Sequence, residues 1–187
     1  ARYGFGWTPL RDSLSRLEGE NLVTSARNRG YRVSGASYAE LQDIQNARLV
    51  IESQLLRESI RTGDDEWQKD VLLAHRALSR APALEQGMPE AAYEEFEAAH
   101  QDFHLRLVGG SHSRWLRRFL EQLHGQVRRH QRLIVLGKGV LSDARADAAL
   151  MAILRSTSTI DHHTLLMDAA LDRDEDRAVA LLHEHIG

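Results

Sequence analysis

The chain contains no cysteine, which excludes disulfides and thiolate metal sites and leaves the redox compartment open. No apolar run approaches the ~18 residues that a membrane span requires. The N-terminus lacks the charged-then-apolar layout of a secretion signal. A cytoplasmic protein without a membrane role is the expectation. No internal repeat or low-complexity segment is visible. Also missing are a His-Glu-x-x-His motif and an obvious nucleophile beside a base. A non-enzyme is therefore expected, with a metal-dependent helical hydrolase or oxidase as the alternative.

What is present is 187 residues, 42% hydrophobic and 27% charged. That suffices for one ordinary core, or one core plus a small module. Net charge is −3, which argues against indiscriminate nucleic-acid binding. Its distribution says more. Residues 1–33 hold Arg2, Arg11, Arg16, Arg27, Arg29 and Arg32 against Asp12, Glu18 and Glu20, a net of +3 that leaves −6 on the remainder. A basic head on an acidic body points to a polyanion-binding end.

Thr8 to Gly19 reads as a helix, capped by Thr8, with Pro9 in its first turn and Leu10, Leu14 and Leu17 as its apolar spacing. Leu22-Val23 and Tyr31-Arg32-Val33 flank a polar segment and read as a β-hairpin. Ser37 and Glu40 form a capping box that opens a long helix ending near Gly63. Only helices are expected beyond it, over 65–80, 90–108, 113–136, 143–155, 159–171 and 174–186. The last two meet at Asp172-Arg173-Asp174, a short antiparallel connection. The expected fold class is all-α, an antiparallel bundle over residues 36–187 with a helix-plus-hairpin head over residues 1–35.

Histidines stand out. His100 and His104 lie one helical turn apart and can share one ion. His185 stacks on Ala178, Leu181 and Leu182, the apolar face of the last helix, whereas His183 stacks on a more mixed face. His163 lies on Leu166, Met167 and Ala170. His162 also has apolar neighbours, so the residues alone leave that pair undecided. Counted from Arg173, His163 and His185 fall roughly 15 and 18 Å from the turn at 1.5 Å per residue, nearly level across the hairpin. Asp102 is rotated about 200° from His100 and cannot join it. Imidazoles buried without partners would cost on the order of several kcal/mol in total, which an ion offsets by occupying their lone pairs. His75, His112, His124 and His130 lack such company and read as surface or incidental residues. Glu97 reads as solvated.

The segment "TPLRDSLSRLEGENLV…RNRGYRV" resembles the winged helix-turn-helix of GntR-family transcription regulators. The resemblance implies operator DNA as partner, with Thr8 and Arg11 at the start of the recognition helix and Arg27, Arg29 and Gly30 at the wing. Gly6-Trp7 stands where the family usually has Ser-Arg. Only seven residues precede Thr8, so the head is expected to be partial, without the family's preceding helices. Residues 37–186 resemble the helical ligand-binding domain of the FadR subfamily, the FCD type. The carriers are "AELQDIQNARLVIES", "FHLRLVGGSHSRWL" and "DHHTLLMDAALDRDEDRAVALLHEHI"; residues 137–159 match poorly. The resemblance implies a divalent metal on His100, His104, His163 and His185, the first being His where the family usually has Asp. Nitrogen donors without thiolate suit Zn²⁺ or Ni²⁺, and also Co²⁺ or Cu²⁺. It further implies a small organic acid as effector and a homodimer. Arg48, Arg128 and Arg132 are candidate carboxylate clamps, and the stretch that carries Arg128 and Arg132 also reads as a solvated basic face. A metal-free acyl-ligand sensor of the same fold is the other reading.

Overall fold

The computed structural model describes residues 6–19, 22–26, 30–35, 37–136, 151, 154 and 158–186. It separates into two compact units, Ala1–Ala36 and Ser37–Gly187. In the first, helix α1 spans Trp7–Gly19, with Pro9 in its first turn, where the missing N–H costs nothing. Strands β1 (Val23–Ala26) and β2 (Gly30–Val33) pair antiparallel, Val23 opposite Val33 and Ala26 opposite Gly30. Gly30 has φ 80°, a backbone that glycine adopts without strain. The helix is tied to the hairpin by Leu22 N–H donating to Leu17 O at 2.9 Å and Ser25 N–H to Glu18 Oε1 at 3.0 Å. Leu14 and Leu17 of α1 are half-buried and Leu10 is exposed.

The second unit is a helical bundle. Helices α2 (Tyr38–Thr62), α3 (Asp65–Leu78), α4 (Glu90–Leu107), α5 (Arg114–Val135), α6 (Ile160–Leu171) and α7 (Glu175–Ile186) make seven helices in all among the described residues. Three begin at side-chain caps. Ser37 accepts from Glu40 N–H, Asp64 from Trp67 N–H and Ser113 from Leu116 N–H, each satisfying a donor the helix cannot. The helix expected over 143–155 lies outside the described residues except for Met151 and Leu154, both helical and buried. So does the glycine loop expected at Gly137 and Gly139. Among the described residues no helix is long and apolar enough to cross a membrane.

The larger core draws on α2, α3, α4, α6 and α7, with Leu55, Val71, Phe103, Leu107, Leu166 and Leu182 almost wholly buried. Two anchors hold the hairpin α6–α7 against α2. Arg173, in the left-handed conformation at φ 62°, donates to Ile60 O and to Gly63 O and lies over the Trp67 ring, 5.0 Å from its centroid. Glu175, in the first turn of α7, accepts from Arg57 and Arg61 of α2 at 2.5 and 2.6 Å. Arg48 and Glu52 lie on the buried side of α2, where Glu52 meets His104 of α4 and His124 of α5.

Gly63 is required by contact rather than by φ. A Cβ there would fall inside the Trp67 ring and against Ser59 O. Gly63→Ala is expected to destabilise the bundle by about 1–3 kcal/mol through overpacking. Gly125, in mid-helix with nothing within 4 Å of a built Cβ, is the control: Gly125→Ala should stabilise by roughly 0.5–1 kcal/mol from helix propensity. Urea unfolding of both variants checks the pair, and equal effects would contradict the packing assignment.

Candidate metal centre

Four imidazoles from three helices converge inside the bundle. His100 and His104 come from α4, His163 from α6 and His185 from α7, and one ring nitrogen of each lies within 4.8 Å of the others. Exposure is 8%, 0%, 0% and 8% respectively. Ring centroids of His100 and His104 are 4.7 Å apart, those of His163 and His185 4.6 Å, and those of His104 and His185 4.8 Å. The alternatives are excluded by direction. His162 is only half-buried, and His183 is exposed and meets Ser53 Oγ at 3.3 Å. Asp102 faces outward and accepts from Arg106 at 3.2 Å.

The rings are prepared as acceptors. His163 donates Nδ1–H to Thr159 O at 2.7 Å, so its Nε2 carries a lone pair. That Nε2 is buried and without a partner among the described residues, as is His100 Nε2. His104 donates Nδ1–H to Glu52 Oε1 at 2.7 Å and turns Nε2 to within 3.0 Å of His185 Nε2. A carboxylate behind an imidazole is the usual way of fixing the tautomer of a metal ligand. Nitrogens at about 2.1 Å from a tetrahedral ion stand about 3.4 Å apart. All four donor nitrogens lie within 4.8 Å of one another, His104 Nε2 and His185 Nε2 are 3.0 Å apart, and His100 Nε2 and His163 Nε2 have no partner among the described residues, so the residues fit a nitrogen-ligated divalent ion.

Glu52 is fully buried, yet its carboxyl is held well below the usual range. Burial pushes it up, but Arg48, whose Nε donates to Oε2 at 2.7 Å, and His104 outweigh burial. Burial lowers His100, His104 and His185, and for His100 and His185 the neighbouring imidazoles add to it. His163 is pushed down to about 3, first by burial and then by His104. Neutral rings are the state a metal needs.

Two expectations fail here. His124 and His130 are buried, 6% and 2% exposed, not on the surface. His124 points Nε2 toward Glu52 Oε2 at 3.5 Å, and His130 bridges Gln126 O and Glu40. Their signal was helical spacing: Leu120 and Val127 share a face with His124, and Val127 and Ile134 with His130. His75 is half-buried against Thr164 Oγ1, and His112 is exposed. Glu97 is 6% exposed, not solvated, and burial raises its carboxyl to about 7 against the pull of Arg128 and Arg48. Of the candidate clamps, Arg48 alone lines the cavity beside the histidines. Arg128 is exposed, and Arg132 is committed to Glu90 and Glu94. In the head, Thr8, Arg11 and Gly30 are exposed, while Arg27 and Arg29 lie outside the described residues.

Residues 43–187 match the family model of the FCD domain. Over 186 residues, all of this chain, it is 37% identical to the HTH-type transcriptional repressor GlaR of Escherichia coli (strain K12), covering 79% of that protein. It is 30% identical to the uncharacterized HTH-type transcriptional regulator BphR of Paraburkholderia xenovorans (strain LB400), covering 70% of it. Among solved structures, E. coli McbR/YncC superposes with TM-score 0.69 at 20% identity, over 96% of this chain and 80% of that one. A GntR family member from Pseudomonas syringae pv. tomato str. DC3000 gives 0.59 at 20%, over 98% and 68%. At such identities the structures attest the fold alone.

Because the imidazoles stay neutral when folded, the metal-free bundle should lose stability as pH falls. The histidines' ordinary value is 6.5. Below it the unfolded chain takes up protons that the folded one refuses, at about 1.4 kcal/mol per pH unit per ring. That contribution is whole above pH 6.5 and is lost toward about 3, where His163 titrates. Glu97, raised from 4.5 to about 7, works in the opposite sense between those values but is one group against several. Urea midpoints of chelated protein at pH 7.5 and 5.5 test this, and a higher midpoint at 5.5 would refute it.

Proposed function

Because this chain belongs to the GntR family of transcriptional regulators, in its FCD-domain branch, we propose that it regulates transcription in response to a small organic acid sensed at a metal site in the helical unit. The observation that carries the reading is the convergence of four buried, neutral imidazoles, of which His100 and His163 leave Nε2 without a partner among the described residues. His100, His104, His163 and His185 hold a divalent cation, Zn²⁺ or Ni²⁺ by the all-nitrogen donor set. When bound, the ion supplies Lewis acidity toward an anionic oxygen.

The chain's own residues do the rest. Glu52 orients His104, and Arg48 keeps Glu52 ionised. With Glu52 and Arg48 cancelling, the donor set contributes no negative charge. A dication there retains its charge and favours an anionic ligand, and Arg48, on the cavity wall, adds to that preference. In the head, Thr8 and Arg11 at the start of α1 approach the major groove, and Arg27, Arg29 and Gly30 of the wing approach the backbone or minor groove. Acting as a homodimer, the protein matches operator half-site spacing, and acid binding shifts the bundle and hence that match.

Wild-type protein should carry one equivalent of metal after dialysis, measured by elemental analysis. His104→Ala should lose it while keeping its helical circular dichroism. Stoichiometric metal in that variant would overturn the site. Glu52→Gln, which removes the charge behind His104, should weaken metal binding by about 10–100-fold. Arg11→Ala should weaken operator binding and reduce its salt dependence by roughly one phosphate contact, read by fluorescence anisotropy across a salt series.

A further inference from the structure

A second cavity, of about 570 Å³, shares no residue with the histidine cluster. It lies where the corner between α2 and α3, the end of α4, the loop before α5 and the first turns of α5 meet. Backbones approach closely there. A Cβ on Gly110 would stand 3.0 Å from Gly63 Cα and 3.1 Å from Ser59 O, and Thr62 Oγ1 donates to Gly110 O at 2.8 Å. The loop is thereby held against the end of α2. The volume is within the range of about 300–1,000 Å³ that small-molecule sites occupy.

The walls carry charge of mostly one sign. Asp64, Glu66, Asp70, Asp102 and Glu121 line the cavity against Arg106 and Arg117. Arg106 is already committed, donating to Asp70 Oδ2 at 2.9 Å and to Asp102 Oδ1 at 3.2 Å. Glu66, Glu121 and Arg117 form no ion pair among the described residues. Carboxylates therefore outnumber guanidiniums by three. An independent observation points to a ligand. Ser111 lines the same cavity and is 2% exposed, and its Oγ has no hydrogen-bond partner among the described residues. A buried hydroxyl without a partner costs free energy. An ammonium donating to its lone pair removes that cost.

The arrangement of the charges selects the ligand. The excess of carboxylate repels an anion. A bare divalent ion needs several donor atoms converging on one point, and among the described residues only the four histidines do so. The carboxylates here are spread out, Glu66 and Asp70 on α3, Asp102 on α4 and Glu121 on α5. Positive charge distributed along a chain suits them. Leu105 and Trp67, on the same walls, offer apolar contact to the methylenes between charges. An aliphatic polyamine has that composition.

We propose that this cavity binds an aliphatic polyamine, its ammonium groups meeting the carboxylates of α3, α4 and α5 while Ser111 Oγ accepts from one of them. The site is separate from the metal-and-acid reading and does not depend on it.

Isothermal titration of the full chain with spermidine, at physiological ionic strength where loose surface pairing is screened, tests this. One equivalent should bind, and magnesium at matched charge should not displace it. The double variant Glu66→Gln, Glu121→Gln removes two carboxylates that hold no ion pair and should weaken binding by about fivefold or more. Ser111→Ala should weaken it by about two- to tenfold. A double variant of equal net charge on exposed positions outside the cavity, Glu95→Gln, Glu184→Gln, should keep wild-type affinity. No saturable binding by wild type, equal displacement by magnesium, or an equal loss in the control variant overturns the proposal. Affinity should be the same in metal-loaded and metal-stripped protein, so failure here leaves the metal site standing, and failure of the metal site leaves this one. Binding that disappears when the metal is removed would put spermidine at the histidines and also overturn the proposal.

Discussion

A carboxylate with no exposure to water, Glu52, is the constraint around which the bundle is arranged. An unpaired charge in such a place is strongly disfavoured. Here it is met by Arg48 one turn earlier on α2 and by His104 from α4, both at 2.7 Å. The three groups lock each other. Arg48 keeps the carboxylate ionised, the carboxylate fixes the His104 tautomer, and that tautomer turns Nε2 toward His185. Removing any one would leave a buried charge or lone pair without a partner.

That arrangement depends on helix placement more than on local conformation. α4 supplies two rings because spacing four repeats after nearly one turn. α6 and α7 supply one each, and they are level only because the turn at Arg173 is tight and left-handed. The Arg173 side chain then reaches the carbonyls at the end of α2 and covers Trp67. The residues shaping the far end of α2 thus also set the height at which His163 and His185 meet α4.

Much of this was legible from residue order. Helical periodicity and the capping box at Ser37 placed the described elements to within a few residues. Spacing four marked His100 and His104, and the apolar neighbours of His185 marked it over His183. His162 and His163 could not be separated by neighbours alone, because adjacent positions on a short, largely apolar helix both look inward. His124 and His130 were misread for a related reason. α5 carries so many arginines that its buried stripe, through Leu120, His124, Val127, His130 and Ile134, is easily taken for a solvated face. Glu97 was misread because a charged residue on α4 is usually exposed.

Sequence alone determined the chemistry available: no thiolate, an excess of imidazole on apolar faces, a basic front and an acidic body. These follow from residue identity and helical period, which are local. Tertiary structure decided which imidazoles meet, that Arg48 belongs to Glu52, and that Glu97 and His124 end at one cavity. Apart from the helical neighbours Arg48–Glu52 and His100–His104, these join residues some 22 to 85 positions apart. They depend on how far each helix is rotated about its axis and slid along it, and no local pattern encodes either quantity.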